Sequence, residues 1–356
     1  MQPILVTGGA GFIGGNFVLG AIARGESVVN LDALTYAGNL ATLRAVADDP
    51  RHVFVEGRIE DRALIDRLLA RHKPRAIVNF AAESHVDRSI DDPDAFVRTN
   101  VNGTVHLLNA ALAYWRGLGE AERRAFRFVQ ISTDEVYGSI EQGKFTEASP
   151  YQPNSPYSAA KASADHFVRA YHHTFGLPTL VTVCTNNYGP YQFPEKLIPL
   201  VVLNCLESRP LPVYGDGKNV RDWLHVADHC SAIAAVLDRG RPGESYNVGP
   251  DNTRQNIEIV ERLCDLVDEI RPQNKGRSRE LITFVADRPG HDRRYAVDAS
   301  KLRRELGWAP AMDFDAGLRA TVRWYVENTG WWGDIRSGKY RGERLGLVGF
   351  SKAAGA

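Results

Sequence analysis

The sequence predicts an α/β fold, a doubly wound parallel sheet with a smaller C-terminal lobe. Three observations point there. Short apolar runs alternate with amphipathic stretches through the first half of the chain, which is the pattern of βαβ units. The first apolar run leads into glycines at 8, 11 and 14 and then into an apolar helical pattern. Beyond residue 185 Gly and Pro punctuate the chain more often, as in Gly189-Pro190, Pro210-Leu211-Pro212 and Gly215-Asp216-Gly217. That texture predicts shorter elements and a lobe made largely of loops, a common seat of substrate specificity.

In chain order, residues 3–7, 27–31, 53–55, 76–80 and 128–132 read as buried strands, and 179–184 as a further one. Helical patterns span 16–24, 63–71, 101–115 and 158–175. Residues 1–185 are expected to form the sheet domain and 186–350 mainly the lobe, with some segments returning to the sheet. The last six residues, 351–356 (SKAAGA), are expected to be a disordered tail.

The 43 basic and 43 acidic residues leave a formal net charge of zero. That argues against nucleic acid as a partner, because phosphate-backbone binding draws on excess positive charge. The four cysteines, Cys184, Cys205, Cys230 and Cys264, form no CxxC pair and suit reduced thiols better than a disulfide framework. No apolar stretch reaches the roughly 18 residues of a membrane span, and the N-terminus enters a strand-like run without a leader pattern. A soluble, cytoplasmic chain with no membrane partner is expected. His85 and His291 lack a clustered third ligand, so no metal is expected.

The glycines at 8, 11 and 14 form a GxxGxxG pattern between strand and helix. One glycine permits the tight turn, one lets backbone approach a pyrophosphate, and one lets helix pack on strand. The helix N-terminus then offers free N–H groups and a positive dipole end to the phosphates. Asp32 follows the next strand, where a carboxylate can hold the adenosine ribose hydroxyls and repel the extra phosphate of NADP. These features predict a Rossmann-type domain that binds NAD. Further on, Tyr157 and Lys161 stand four apart, on one helical face. An ammonium beside a phenol favours the phenolate, so Lys161 is expected to hold Tyr157 low enough to work as a general base. Upstream, strand 128–132 leads to Thr133, whose hydroxyl is placed to hold the substrate oxygen undergoing chemistry.

With Asn79-Phe80-Ala81-Ala82 at a strand end, these features resemble the extended short-chain dehydrogenase/reductases. Three further stretches resemble the dTDP-glucose 4,6-dehydratases within that superfamily: 81–89 (AAESHVDRS), 132–138 (STDEVYG) and 221–224 (RDWL). The likeness runs from the glycine loop to 287–296 (DRPGHDRRYA). It implies an NAD-dependent lyase that oxidises carbon 4 of dTDP-glucose, eliminates water across carbons 5 and 6, and returns hydride to carbon 6. In that scheme Tyr157, helped by Lys161, takes the proton of the carbon 4 hydroxyl and Thr133 holds its oxygen. Glu135 removes the carbon 5 proton, and Asp134 protonates the departing hydroxyl. Two adjacent carboxylates can differ in protonation through mutual repulsion and burial.

The resemblance also places Phe12, Ile13, Leu34, Thr35, Arg58, Ile59, Ala81, Ala82, Ser84, Thr99 and Asn187 at the cofactor, beside the glycines and Asp32. It places Ser84, Thr133, Asn186, Glu195, Lys196, Leu197, Pro212, Tyr214, Arg221, Asn256, Arg288 and His291 at the substrate. Two positions depart from the family pattern. Arg58 stands where the family usually has an Asp on the adenine amino group, and His225 stands where it typically has Tyr. An arginine could stack on the adenine face instead.

Three rivals share much of this pattern. The same dehydration could act on a UDP-hexose, since one methyl in a pocket is worth only about 1–3 kcal/mol. Epimerisation or decarboxylation would share Tyr157 and NAD but leave Asp134 and Glu135 no elimination to perform. A non-catalytic nucleotide sensor would need only the glycine loop. The resemblance further implies a homodimer, with helices 101–115 and 158–175 as candidates for the interface.

Overall fold

Seven parallel strands make the central sheet in this computed structural model, which describes residues 2–271, 276–287 and 290–338. Arg288 and the tail 351–356 lie outside the described residues. The strands are β1 (Ile4–Thr7), β2 (Val28–Asp32), β3 (His52–Glu56), β4 (Ala76–Asn79), β5 (Arg127–Thr133), β6 (Thr179–Cys184) and, later in the chain, β10 (Ser245–Val248). Their order is β10-β6-β5-β4-β1-β2-β3. Runs such as Ile4-Leu5-Val6 and Ala76-Ile77-Val78 are apolar without alternation because helices cover both faces. Phe17, Val18, Ile233 and Val236 pack on one face, and Ile65, Leu68, Leu107 and Val168 on the other.

β1 pairs with β2 on one side and β4 on the other, so the winding reverses between β1 and β4. A sheet that reverses there opens a crevice outside the carboxyl ends of its strands. The doubly wound α/β fold expected from the alternating pattern is therefore present, and the crevice has a fixed place. The β10 strand has no counterpart among the expected strands. Its polar Ser245 and Asn247 break the apolar run, yet all four of its residues are buried.

The helix Pro156–Phe175 begins where its sequence says it must. Ser155 caps it by accepting from the Ser158 backbone N–H at 3.1 Å, Pro156 holds the first position, and Gly176 closes it at φ +73°. Tyr157 thus sits in the first turn, next to the end of β5. The helical pattern read at 101–115 divides in two: π-turns over Val97–Gly103 lead into an α-helix over Thr104–Arg116.

The lobe differs from the expectation of a mostly loop-built region. It holds the helices Leu197–Leu206, Asn256–Ile270 and Phe314–Glu327 around their own core of Val202, Val260, Leu263, Leu318 and Tyr325. Two small sheets join them, one of β7 (Asn186–Tyr188), β9 (Val220–His225) and β11 (Thr253–Gln255), the other of β8 (Leu211–Tyr214) and β12 (Ile282–Val285). The Gly and Pro residues punctuate the connections, while the helices between them follow an apolar stripe.

The helix Val226–Arg239 returns to the sheet half, carrying Asp228 in its first turn. His225, one of the two departures, caps this helix: its Nδ1 accepts from the Ala227 N–H at 3.3 Å. The buried Asp228 carboxylate accepts from the Ala311 and Met312 N–H groups at 3.0 and 2.9 Å, tying the chain ahead of Phe314–Glu327 to this helix. Removing it leaves two backbone donors unpaired. Asp228→Ala is therefore expected to cost about 2–3 kcal/mol of stability, read as a lower urea midpoint by tryptophan fluorescence. Asp228→Asn, which keeps one acceptor, should lose less.

Candidate active site

A cavity of about 320 Å³ opens over the glycine loop. Gly8 takes φ +72°, and a Cβ there would lie 2.7 Å from the Ala81 nitrogen. A Cβ on Gly14 would lie 2.2 Å from the Gly8 carbonyl oxygen. Both approaches exclude any side chain, and they leave the start of the helix Phe12–Ala23 bare for an anion. The Asp32 oxygens accept from the Ala10 and Leu34 N–H groups, each at 2.8 Å, which fixes the carboxylate at the cavity wall. Burial raises its pKa, and the two N–H bonds oppose that.

Gly11, Phe12, Ile13, Thr35, Arg58, Ile59, Ala81, Ala82, Ser84, Thr99, Asn187, Tyr157 and Lys161 line the same cavity, as does Thr133. Leu34 does not. Its N–H serves Asp32, and its side chain packs against the sheet core. Arg58 stands in this wall with Glu60, whose carboxylate accepts from the Thr99 hydroxyl at 3.3 Å. His229 also lines the wall and was not legible from its sequence context, a lone histidine inside an apolar helix. Its Nδ1 pairs with Asn187 Oδ1 at 3.0 Å, while its buried Nε2 has no hydrogen-bond partner among the described residues. Asn187 is braced in turn by the Thr185 carbonyl at 2.9 Å.

The catalytic candidates gather where β5 ends. Thr133 caps a 3-10 turn over Asp134–Tyr137 by accepting from the Glu135 N–H at 3.3 Å. Its hydroxyl also reaches Asp134 Oδ1 at 3.4 Å and is hydrogen-bonded to the Tyr157 phenol. Asp134 is buried, lines neither cavity, and its Oδ2 has no hydrogen-bond partner among the described residues. Burial, then the Glu135 charge, hold its carboxyl well above the usual range. Glu135 lines the cofactor cavity beside it.

The expectation that Lys161 lowers the Tyr157 pKa is not met by this arrangement. Burial and the Glu135 charge push the phenol up, and the Thr133 hydrogen bond is the main influence pulling it down. Lys161 Nζ instead donates to the Ile131 carbonyl at 2.6 Å, and burial lowers its pKa. The spacing of four puts the two side chains on one face but does not aim the ammonium at the phenol.

A second cavity, of about 380 Å³, adjoins the first. Ser84, Asn186, Glu195, Lys196, Leu197, Pro212, Tyr214, Arg221, Asn256 and His291 line it, so the segments expected at the substrate converge. Thr133 belongs to the first cavity only, and Arg288 lies outside the described residues. Arg221 is buried and held by the Asp292 carbonyl at 2.8 Å, with its guanidinium 4.2 Å from the Tyr295 ring centre. Lys196 Nζ reaches the Ser84 carbonyl at 3.0 Å, and Glu195 accepts from Tyr36 at 3.1 Å. Trp223 Nε1 and Asn256 Oδ1 are buried without a hydrogen-bond partner among the described residues and belong to residues of this wall. Trp223 belongs to the 221–224 stretch but was not singled out as a site residue, and Tyr36 carried no motif of its own and was missed. Glu135 lines both cavities.

Comparison with known proteins agrees with the geometry. The family model described as GDP-mannose 4,6 dehydratase matches residues 5–321. The dTDP-glucose 4,6-dehydratase of Xanthomonas campestris pv. campestris (strain B100) is 62% identical over 98% of this chain and 100% of its own length. The chain belongs to the dTDP-glucose 4,6-dehydratase family. That of Neisseria meningitidis serogroup B is 55% identical over 97% of this chain and 99% of its own. The crystal structure of the dTDP-glucose 4,6-dehydratase of Bacillus anthracis in complex with NAD superposes with TM-score 0.84 at 48% identity, covering 94% of this chain and 100% of that one. A UDP-glucose 4-epimerase from Thermotoga maritima shares the fold at TM-score 0.80 but only 28% identity, over 92% of this chain and 99% of that one. Within the dTDP-glucose 4,6-dehydratase family the enzyme is an NAD-dependent hydro-lyase. Among the described residues no group of three or more His, Cys, Asp or Glu is placed to hold a metal ion, and no helix is long and apolar enough to cross a membrane.

The glycine loop and the unpartnered His229 Nε2 fit a dinucleotide. Gly14→Ala places a methyl against the Gly8 carbonyl, so NAD affinity should fall at least about tenfold, measured by titration calorimetry. Near-normal affinity in that variant would remove the loop from the binding site.

Proposed function

We propose that the protein converts dTDP-glucose to its 4-keto-6-deoxy product by internal oxidation and dehydration. Bound in the first cavity, NAD supplies the hydride acceptor at carbon 4 and the donor at carbon 6. The chain's own residues do the rest. Tyr157 takes the proton of the carbon 4 hydroxyl, while Thr133 holds the oxygen. Its raised pKa means that the phenol needs further positive charge nearby, which the cationic ring of bound NAD would supply. Once carbon 4 is a ketone the carbon 5 proton is acidic, and Glu135 removes it. Asp134, kept protonated by burial and by Glu135, gives its proton to the departing carbon 6 hydroxyl.

The observation that carries this reading is the place of Glu135. It stands where the two cavities meet, beside the phenol and next to a neutral carboxylic acid. An epimerase needs no such acid and base. Arg221 and Lys196 supply positive charge for the diphosphate, and the walls near Pro212 and Tyr214 suit the base. We also read the protein as a cytoplasmic homodimer, with residues 1–185 as the cofactor domain. Phe167 and Phe175 are 42% and 41% exposed on the helix Pro156–Phe175, and Val97 is 46% exposed ahead of Thr104–Arg116, which supports a partner on that side.

Purified protein with NAD and dTDP-glucose should yield the alkali-induced chromophore of a 4-keto-6-deoxy sugar. Product from UDP-glucose but not from dTDP-glucose would overturn the choice of carrier. Glu135→Gln should keep slow hydride transfer yet lose solvent deuterium exchange at carbon 5; retained exchange would remove Glu135 from the base role. Asp134 must be protonated to act, so elimination, isolated in single turnover, should slow as pH rises through its raised pKa.

A further inference from the structure

Behind Tyr157 and Lys161 the helix Pro156–Phe175 carries a third group at the same spacing. Positions 157, 161 and 165 advance by four and lie along one stripe. Asp165 is fully buried there. Its Oδ2 accepts from Ser132 Oγ at 2.5 Å and from the Tyr151 hydroxyl at 3.1 Å, while Oδ1 has no hydrogen-bond partner among the described residues. Arg169 Nη2 donates to the Tyr151 hydroxyl at 3.0 Å and to Ser245 Oγ at 3.1 Å, with its guanidinium 4.8 Å from the Tyr151 ring centre. Nothing in the dehydration scheme uses this cluster, yet it abuts both β5 and the catalytic lysine.

Lys161 has the opposite problem. Its buried ammonium donates to a neutral carbonyl, that of Ile131. A buried ammonium with only a neutral acceptor tends to give up its proton. Burial does push Lys161 down, and the charge that opposes it is the carboxylate of Asp165. Burial pushes Asp165 up in turn. Lys161, the Ser132 hydroxyl, Arg169 and the Tyr151 hydroxyl all pull it back towards the ionised form. Other titratable groups feel the same carboxylate: Tyr137 from the turn after β5, and Tyr157 from the first turn of the helix.

We propose that Asp165 is a positioning residue for the reaction, the buried counter-ion that keeps the Lys161 side chain an ammonium at the wall of the cofactor cavity. This rests on the assignment of Tyr157 and Lys161 to the oxidation step. Ser132 and Tyr151 hold the carboxylate in place, and Arg169 braces Tyr151 from behind. The cluster thereby links the carboxyl end of β5 to the protonation of a group that lines the cavity.

The test reads Lys161 directly. Acetic anhydride acylates only the unprotonated amine, so labelling across a pH series with peptide mass spectrometry gives the pH at which Lys161 becomes reactive. Asp165→Asn is near-isosteric and keeps an acceptor for Ser132 and Tyr151. Its Lys161 midpoint is expected to fall by about one unit or more, with turnover of dTDP-glucose at neutral pH down about tenfold or more. Asp165→Glu, which restores the charge, and Tyr151→Phe, which removes a hydrogen bond but no carboxylate, should keep the midpoint near wild type. Asp165→Ser, with room for a water, serves if the Asn variant does not fold by circular dichroism. An unchanged midpoint in a folded Asp165→Asn or Asp165→Ser protein overturns the proposal, whatever its turnover. Wild-type protein that fails on dTDP-glucose would instead overturn the functional reading, and the labelling would still decide what Asp165 does to Lys161.

Discussion

The Gly14 Cα approaches the Gly8 carbonyl so closely that an added Cβ would sit 2.2 Å from its oxygen. That contact lets the first helix start after a tight glycine turn behind β1, with its free N–H groups over the crevice between β1 and β4. The rest of the site follows from the same crevice. The cofactor wall runs across the ends of β1, β2 and β4, and the catalytic turn follows from β5, one strand further along. The substrate wall is built by β7, β8 and β9 of the lobe, so the two cavities meet where Glu135 stands.

Charge at that meeting point is arranged by burial more than by ion pairs. Desolvation beside Glu135 pushes the Asp134 carboxyl towards its neutral form, and Tyr157 is held up by the same two influences. Lys161 and Asp165 form a buried opposite pair one layer back, each resisting the other's loss of charge. An acid, a base and a phenol can then stand together without neutralising one another, which an oxidation coupled to an elimination requires.

Much of this was legible in the chain. The glycine spacing, Asp32, and the run Thr133-Asp134-Glu135 are local patterns whose chemistry needs neighbours in sequence; the structure brings the glycines, Asp32, Thr133 and Glu135 to one crevice, with Asp134 buried between the last two. What escaped sequence reading depends on distance. The β10 strand is broken by Ser245 and Asn247, and only its pairing with β6 reveals it. The lobe's helices hid behind Gly and Pro that belong to their connections. Leu34 shares a segment with cofactor residues but turns into the core, because its N–H is spent on Asp32. Spacing put Lys161 beside Tyr157, yet the ammonium follows the Ile131 carbonyl and the buried Asp165, neither visible from a period of four. His229 reaches the cofactor cavity from a helix with no motif, and Tyr36 meets the site only through its hydrogen bond to Glu195.

The central claim is that one site couples oxidation at carbon 4 to elimination across carbons 5 and 6. Turnover of dTDP-glucose deuterated at carbon 4, followed by nuclear magnetic resonance of the product, tests it most directly. The account predicts deuterium moved within the same molecule to carbon 6, with one solvent-derived hydrogen at carbon 5. Deuterium returned to carbon 4 on an inverted sugar, or lost to solvent with carbon 6 still hydroxylated, would contradict it.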